Sequence, residues 1–342
     1  MYLSLCILHF INKYFSSLNT SMHNIIIGNR RRVNILTEII KIENLTKVYD
    51  DTKVVDNLTL SVKTGEIFGF LGPNGAGKST SINMMVGLLT PTSGTVKIET
   101  KADETKASIG ICPQEIILWQ HLTCYENLMM MGRMYEVEKS ILKKRIPEIL
   151  WKLQLTDKKD EEIQNLSGGM KRRMNIAMAT IHNPEILVLD EPSEGLDPQS
   201  RRLLWKYIKD EKKSGKTIIL TTHLLDEADM LSDTIAIIDH GQLLKMDTPE
   251  NLKKSIGEGD ILEIELQDMT KELVTKLEQV DDITTIKVED NHLTIRLLDA
   301  ITKLPDIIHI IEDEKLNLND ISIRQNTLED VFIELTGRAL RE

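Results

Sequence analysis

Residues 72–80 read Gly-Pro-Asn-Gly-Ala-Gly-Lys-Ser-Thr and satisfy the pattern G-x-x-x-x-G-K-[ST] at every position. Gly72, Gly75 and Gly77 let the backbone turn tightly with its N–H groups facing inward, because no Cβ blocks the conformation or the approach of an anion. Lys78 then supplies a point charge for the β- and γ-phosphates of a polyphosphate, and the Ser79 hydroxyl is a ligand type for Mg²⁺. Upstream, Glu66 to Leu71 is a short apolar run suited to a buried strand. Downstream, Ser79 to Leu89 carries Ile82, Met85, Val86 and Leu89 at helical spacing. Strand, loop and helix follow in the order that sets the positive end of a helix against phosphate.

Working outward, Ile186-Leu-Val-Leu-Asp-Glu191 is an apolar run that ends in two acids, the form of a buried parallel strand whose C-terminal end meets a ligand. Asp190 is placed to hold Mg²⁺ through water, and Glu191 to polarise the water that attacks a γ-phosphate. Thr217 to Thr222 reads as another buried strand and delivers His223 to the same edge, within reach of the γ-phosphate. The strand Ser108 to Cys112 is followed by Gln114, which is open to two readings: a contact to Mg²⁺ or the attacking water, or an ordinary loop glutamine. Leu166-Ser-Gly-Gly-Met170 precedes a helix predicted over 171–182 and forms a second anion-binding helix start. One nucleotide needs one such cradle, so the surplus one is expected to serve a nucleotide held by another subunit. Asp197-Pro198 reads as the start of a helix over 199–213.

The whole chain has 342 residues, 28% charged and 41% hydrophobic, which is the composition of a globular protein. A net charge of −11 argues against a nucleic-acid-coating surface, though it leaves room for local basic patches, and no nucleic-acid partner is expected. Cys6, Cys112 and Cys124 have neither metal-ligand spacing nor the even count of a disulfide framework. No apolar run reaches the roughly 18 residues that suggest a spanning helix. Residues 1–36 are expected to be a disordered or non-native extension. Their apolar start, Met1 to Phe15, is a poor signal peptide and leaves open a short membrane-surface anchor or a true start near Met22 or Leu36.

Alternating strands at 39–49 and 58–62 predict a small antiparallel β layer ahead of the loop, with the turn at Asp50-Asp51. Tyr49, beside that turn, is either a platform for adenine or a plain surface tyrosine. Residues 115–135 are rich in Met, Leu and Trp119. They predict a helical subdomain with a surface adaptable enough to dock a partner, continued by a helix over 139–153 kinked at Pro147. From residue 257 the pattern becomes β-α-β-β-α-β, the order of a ferredoxin-like α+β unit.

In order and spacing, Tyr49, the phosphate loop, Gln114, Leu166 to Met170, Asp190-Glu191, Gly195-Leu196-Asp197 and His223 resemble an ATP-binding-cassette nucleotide-binding domain, over about residues 37–256. Gly-Gly-Met-Lys-Arg-Arg after Ser167 and Thr327 to Phe332 in a small domain over 257–342 make the chain similar to the ATP-binding subunits of daunorubicin-resistance-type exporters. The resemblance implies an α/β P-loop NTPase with a mixed β core, an antiparallel β subdomain and a helical subdomain, acting as an ATPase with ATP and Mg²⁺. It implies that Tyr49 stacks on adenine and that Gly72, Pro73, Asn74, Gly75, Ala76, Gly77, Lys78, Ser79 and Thr80 bind the phosphates, with Thr80 near the α-phosphate. Ser79, Gln114 and Asp190 then hold the metal. Ser167, Gly168 and Gly169 complete the site of the opposite subunit, and Asp197 communicates across that dimer. Glu191 is the general base, with His223 holding the γ-phosphate and water in line beside Lys78 and Gln114.

The implied partners are a second cassette, identical or not, and an integral membrane permease docked near 114–135. This places the chain on the cytoplasmic face of the cell membrane. The alternative is a non-transport cassette that acts as a mechanical switch on a soluble or ribosomal partner. Glu194, at a position usually small or apolar in relatives, and the short stretch between Val96 and Ile109 depart from the family pattern.

Overall fold

The computed structural model describes residues 25–29, 38–100 and 108–339. They divide into two compact units that meet in sequence at Pro249 and Glu250. The first unit opens with the strands Ile25–Asn29 (β1), Glu38–Tyr49 (β2) and Thr52–Lys63 (β3). The strand Ile67–Leu71 (β4) and the helix Lys78–Met85 (α1) follow, and then the strand Ser93–Thr100 (β5). A front sheet of order β1-β5-β2-β3 pairs β2 antiparallel to both β3 and β5. Its inner face buries Ile40, Ile42, Leu58, Leu60, Val62, Val96 and Ile98, as the alternation requires. Asp50 and Asp51 make the turn at φ 41° and 69°, a left-handed conformation that aspartate tolerates. In the N-terminal extension, expected to be unstructured, Ile25–Asn29 instead pairs in parallel with 96–100. The unpaired edge of β5 offers its N–H and C=O groups as a template there. The apolar stretch Met1 to Phe15, Met22 and Leu36 lie outside the described residues.

The core sheet draws on Ile109–Cys112 (β6), three helices at Cys124–Met134 (α2), Lys139–Lys152 (α3) and Gly168–Thr180 (α4), and Ile186–Asp190 (β7). Pro198–Lys213 (α5), Thr217–Thr222 (β8), Leu225–Leu231 (α6), Thr234–Asp239 (β9) and Gln242–Asp247 (β10) complete it. Its order is β10-β9-β4-β8-β7-β6, parallel from β9 through β6. Strands β4, β7 and β8 are buried at every residue, which is why their centres read as apolar runs, with Asp190 closing β7 and threonines bounding β8. Because β4, β8, β7 and β6 are adjacent and parallel, the loops that leave their C-terminal ends share one edge. Helix α6 was not expected from the sequence, where its seven residues are too few to show a period.

Helix α2 starts at a capping box in which the Thr123 hydroxyl and the Glu126 carboxylate each bond the other's backbone N–H. Ahead of it residues 115–123 are irregular. Buried Asn127 ties them down by accepting from Trp119 N (3.0 Å) and donating to Trp119 O (3.1 Å) and Leu122 O (3.2 Å). Helix α3 is continuous through Pro147. Among the described residues no helix is long and apolar enough to cross a membrane.

The helix Pro249–Lys254 (α7) straddles the boundary, and the second unit continues with Asp260–Leu266 (β11), Lys271–Leu277 (α8), Ile283–Glu289 (β12), His292–Leu297 (β13), Ala300–Asp313 (α9), Leu318–Arg324 (β14) and Leu328–Thr336 (α10). The sheet is antiparallel with order β12-β13-β11-β14, and Leu262, Ile264, Leu266, Leu293, Ile295 and Leu297 pack on Leu273, Leu277, Ile307 and Ile311 of the helices. This is the ferredoxin-like arrangement that the element order predicts. The contact boundary falls ahead of the pattern change at 257. Asn326 reaches back to Lys253 O (3.1 Å) and Gly257 O (2.7 Å), and Arg296 to Ile256 O, so residues 250–257 belong to the second unit.

Candidate functional site

The turn after β4 has its conformation imposed from both sides. Gly77 sits at φ 95°, and a Cβ there would lie 2.5 Å from Val54 O; a Cβ on Gly72 would lie 2.2 Å from Ile238 O. Only glycine lets the loop pass so close to neighbouring backbone and still enter α1. The residues Asn74, Gly75, Ala76, Gly77, Lys78, Ser79 and Thr80, together with Val54, Gln114 and Glu191, line a cavity of about 350 Å³. Lys78 is buried and donates to Gly72 O (2.7 Å) and Pro73 O (3.2 Å), so its ammonium is held under the loop by acceptors of the kind a phosphate also offers.

The strand ends beside it bring the acids. Asp190 Oδ1 accepts from Ser79 Oγ at 3.1 Å and from Thr221 Oγ1 on the next strand. Glu191 is buried, with Oε2 at 2.9 Å from His223 Nδ1 and Oε1 in an ion pair with Lys78 at 3.2 Å. Among the described residues that Oε1 accepts no hydrogen bond, which leaves it able to take one from water. Gln114 donates from Nε2 to Glu194 Oε2 at 2.9 Å, so Glu194, at the unusual position, touches the glutamine of the site. Lys78, Ser79, Gln114, Asp190, Glu191 and His223 thus converge from four strand ends.

Other expected residues stand apart from this cluster. Ser167 caps α4 by accepting from Met170 N at 3.3 Å; it and Gly168 are exposed. A Cβ on Gly168 would meet nothing within 4 Å. Asp197 caps α5, accepting from Gln199 N (2.9 Å) and Ser200 N (3.0 Å), and the Ser200 side chain together with these backbone N–H groups holds its carboxyl below the ordinary value. Tyr49 is 45% exposed with the Lys47 ammonium 5.0 Å from its ring centroid, and it is not part of the cavity lining.

Sequence reasoning missed Val54 in the lining, Thr221 under Asp190, and a buried group behind the acids. There Glu227 Oε1 accepts from Trp205 Nε1 at 3.0 Å and from Ser193 Oγ. Burial pushes the Glu227 carboxyl up, against the bonds from Ser193, Thr222 and Trp205. Arg172, buried on α4 against these strand ends, was missed as well. None of these has a local sequence signal, because each acquires its role from the strand order.

The family model "ABC transporter" matches residues 55–194, and the model "ATP-binding protein DrrA1-3-like, C-terminal domain" matches 248–336. The linearmycin resistance ATP-binding protein LnrL of Bacillus subtilis is 35% identical over 311 residues, covering 89% of this chain and 100% of that protein. The daunorubicin/doxorubicin resistance ATP-binding protein DrrA of Streptomyces peucetius is 35% identical over 318 residues, covering 88% of this chain and 93% of that one. Among solved structures, a dimeric post-hydrolysis ATP-binding cassette bound to ADP and phosphate superposes with a TM-score of 0.55 at 27% identity. It covers 61% of this chain and 98% of its own.

Proposed function

The chain belongs to the ATP-binding-cassette transporter family of ATP-binding subunits, and from that we infer that it is the ATP-hydrolysing subunit of an export complex, working as a pair of cassettes on a separate membrane permease. ATP hydrolysis is the general activity of the family. The observation that carries the reading for this chain is that Lys78, Ser79 and Glu191 line one cavity at the edge of a parallel sheet, with Asp190 bonded to Ser79 and His223 to Glu191.

Lys78 and the N–H groups of the loop bind the β- and γ-phosphates of ATP, with the N-terminus of α1 aimed at them. Glu191 accepts the proton of the attacking water at a carboxylate oxygen. His223, bonded to the other oxygen of that carboxylate, fixes its orientation and meets the γ-phosphate. The pair of oxygens on Ser79 and Asp190, with the Gln114 amide in the same cavity, suits a hard cation, and these residues would hold Mg²⁺. When bound, Mg²⁺ neutralises charge on the phosphates.

An exposed Ser167-Gly168 turn whose serine side chain only caps its own helix among the described residues supports a sandwich in which each copy closes the other's nucleotide, with Asp197 at the seam. Exposed Ile116 and Met130 in the segment 115–135 suit a docking surface for the permease, with the chain peripheral on the cytoplasmic side of the membrane. Export comes from the resistance systems named for the relatives.

The test is affinity purification of Glu191→Gln from detergent-solubilised native cells with MgATP. A stoichiometric integral membrane protein is expected to copurify. Recovery of soluble proteins or ribosomes alone overturns the export reading in favour of a mechanical switch.

A further inference from the structure

Arg172 lies on α4, little more than one helical turn beyond the Ser167 cap, and is 3% exposed. A buried guanidinium needs partners for five N–H groups. It finds all of them on main-chain carbonyls. Nε donates to Pro192 O (3.1 Å), Nη1 to Pro113 O (3.0 Å) and Gln114 O (2.5 Å), and Nη2 to Asp190 O (2.7 Å) and Glu191 O. These carbonyls lie at and just beyond the C-terminal ends of β6 and β7, where the sheet ladder stops; Pro113 O also accepts from Asn175 Nδ2 (3.3 Å) and Glu191 O from Glu194 N (3.2 Å), and among the described residues Arg172 is the one side chain that joins all five. The same peptides carry Gln114 and the acids Asp190 and Glu191.

Glu191 adds a second reason for such a clamp. Its φ is 48°, a left-handed conformation that a non-glycine residue keeps only where its surroundings impose it. The amide is held from one side by Thr221, through Oγ1 at 2.9 Å and O at 3.2 Å. The carbonyl is held from the other side by Arg172.

We propose that Arg172 is a positioning residue for hydrolysis, fixing Glu191 and Gln114 relative to each other and tying both to the helix that presents Ser167 and Gly169. The proposal rests on Glu191 being the general base. Through α4, a load on the Ser-Gly-Gly turn of one copy reaches the base of that same copy by a single side chain. Lysine cannot substitute. Its three donors on a flexible stem cannot replace the five bonds of the guanidinium, and it lacks the planar fork that spans two strands.

The experiment compares the full-length wild type with Arg172→Lys and Arg172→Gln, each alone and combined with Glu191→Gln. It measures steady-state ATPase, affinity for a fluorescent ATP analogue and thermal melting. Arg172→Lys is expected to melt cooperatively and bind nucleotide within about threefold of wild type, while kcat falls about 30-fold or more, as a small displacement of a reacting group does. Combined with Glu191→Gln it is expected to cost nothing further, because the group it positions is already lost. Four results overturn the proposal: an unchanged kcat, a loss that multiplies with that of Glu191→Gln, nucleotide affinity falling in step with turnover, or both variants failing to fold. A wild type without ATPase activity would instead overturn the functional reading on which it stands.

Discussion

The two glycine-rich helix starts of the first unit, at α1 and α4, are built from the same materials and finished differently. At α1, Lys78 is buried, Ser79 is bonded to Asp190, and the glycines are pressed against Val54 and Ile238. At α4, Ser167 does no more than cap its own helix, and Gly168 faces open space. The first start is enclosed by the C-terminal ends of neighbouring parallel strands, which supply the acids and the histidine. At the second, a Cβ on Gly168 would meet nothing within 4 Å among the described residues. On the function proposed above, one chain carries an assembled wall of a nucleotide site and a separate free-standing wall that closes the site of another copy.

The comparison breaks most sharply at the assembled wall. Lys78→Ala removes a buried charge held by Gly72 O, Pro73 O and Glu191, and phosphate release is expected to fall about 10³-fold, the upper range for loss of one preorganised electrostatic contact. Unchanged turnover would remove this loop from the chemistry.

At the free-standing wall the effect should separate binding from hydrolysis. A Cβ on Gly169 would meet Leu196 Cδ2 at 3.5 Å and Ser200 Oγ at 3.7 Å, both ordinary contacts. An aspartate in the first turn of a helix is also electrostatically favoured. Gly169→Asp should therefore fold and bind ATP as the wild type does, yet lose about 10²-fold in turnover, since its carboxylate would face the phosphates of the opposite subunit. Full ATPase activity in this variant would show that α4 closes no site. Loss of ATP affinity in the isolated subunit would put the turn in its own chain's site.

What could be read from the sequence was what local backbone chemistry dictates. Gly72, Gly77 and Lys78 are required by a loop that must pass close to other backbone and still hold an anion, and Asp190 and Glu191 stand out because they end an otherwise apolar strand. The ferredoxin-like order of the second unit followed from period alone. Strand ends were less legible. β2 ends at Tyr49 as expected, but β3 starts at Thr52 and not at Leu58, because Asn57 at φ 55° and Asn44 at 52° mark irregular pairing that reads in the sequence as polar interruption. Arg172, Thr221 and Glu227 were invisible because their partners are far along the chain and come together only through the strand order β4-β8-β7-β6. An arginine inside a helix after Gly-Gly-Met-Lys looks like solvated charge until the carbonyls it collects are known.

The mildest expected effect concerns Tyr49, which belongs to neither wall. It ends β2 opposite Thr52, half-exposed beside Lys47, while Val54 on the next strand reaches the cavity. A ring in that place can lie under a base whose phosphates occupy the loop, and base–aromatic stacking contributes about 1–3 kcal/mol. An exposed platform belongs at the low end of that range. Tyr49→Ala is therefore expected to raise the KM for ATP about fivefold with kcat within about twofold, because the contact is made equally in the ground state and the transition state. Tyr49→Phe should keep the wild-type KM, since the stack uses the ring face and not the hydroxyl. A KM that alanine leaves unchanged would make Tyr49 a surface residue of the front sheet and leave the Val54 side of the cavity to receive the base.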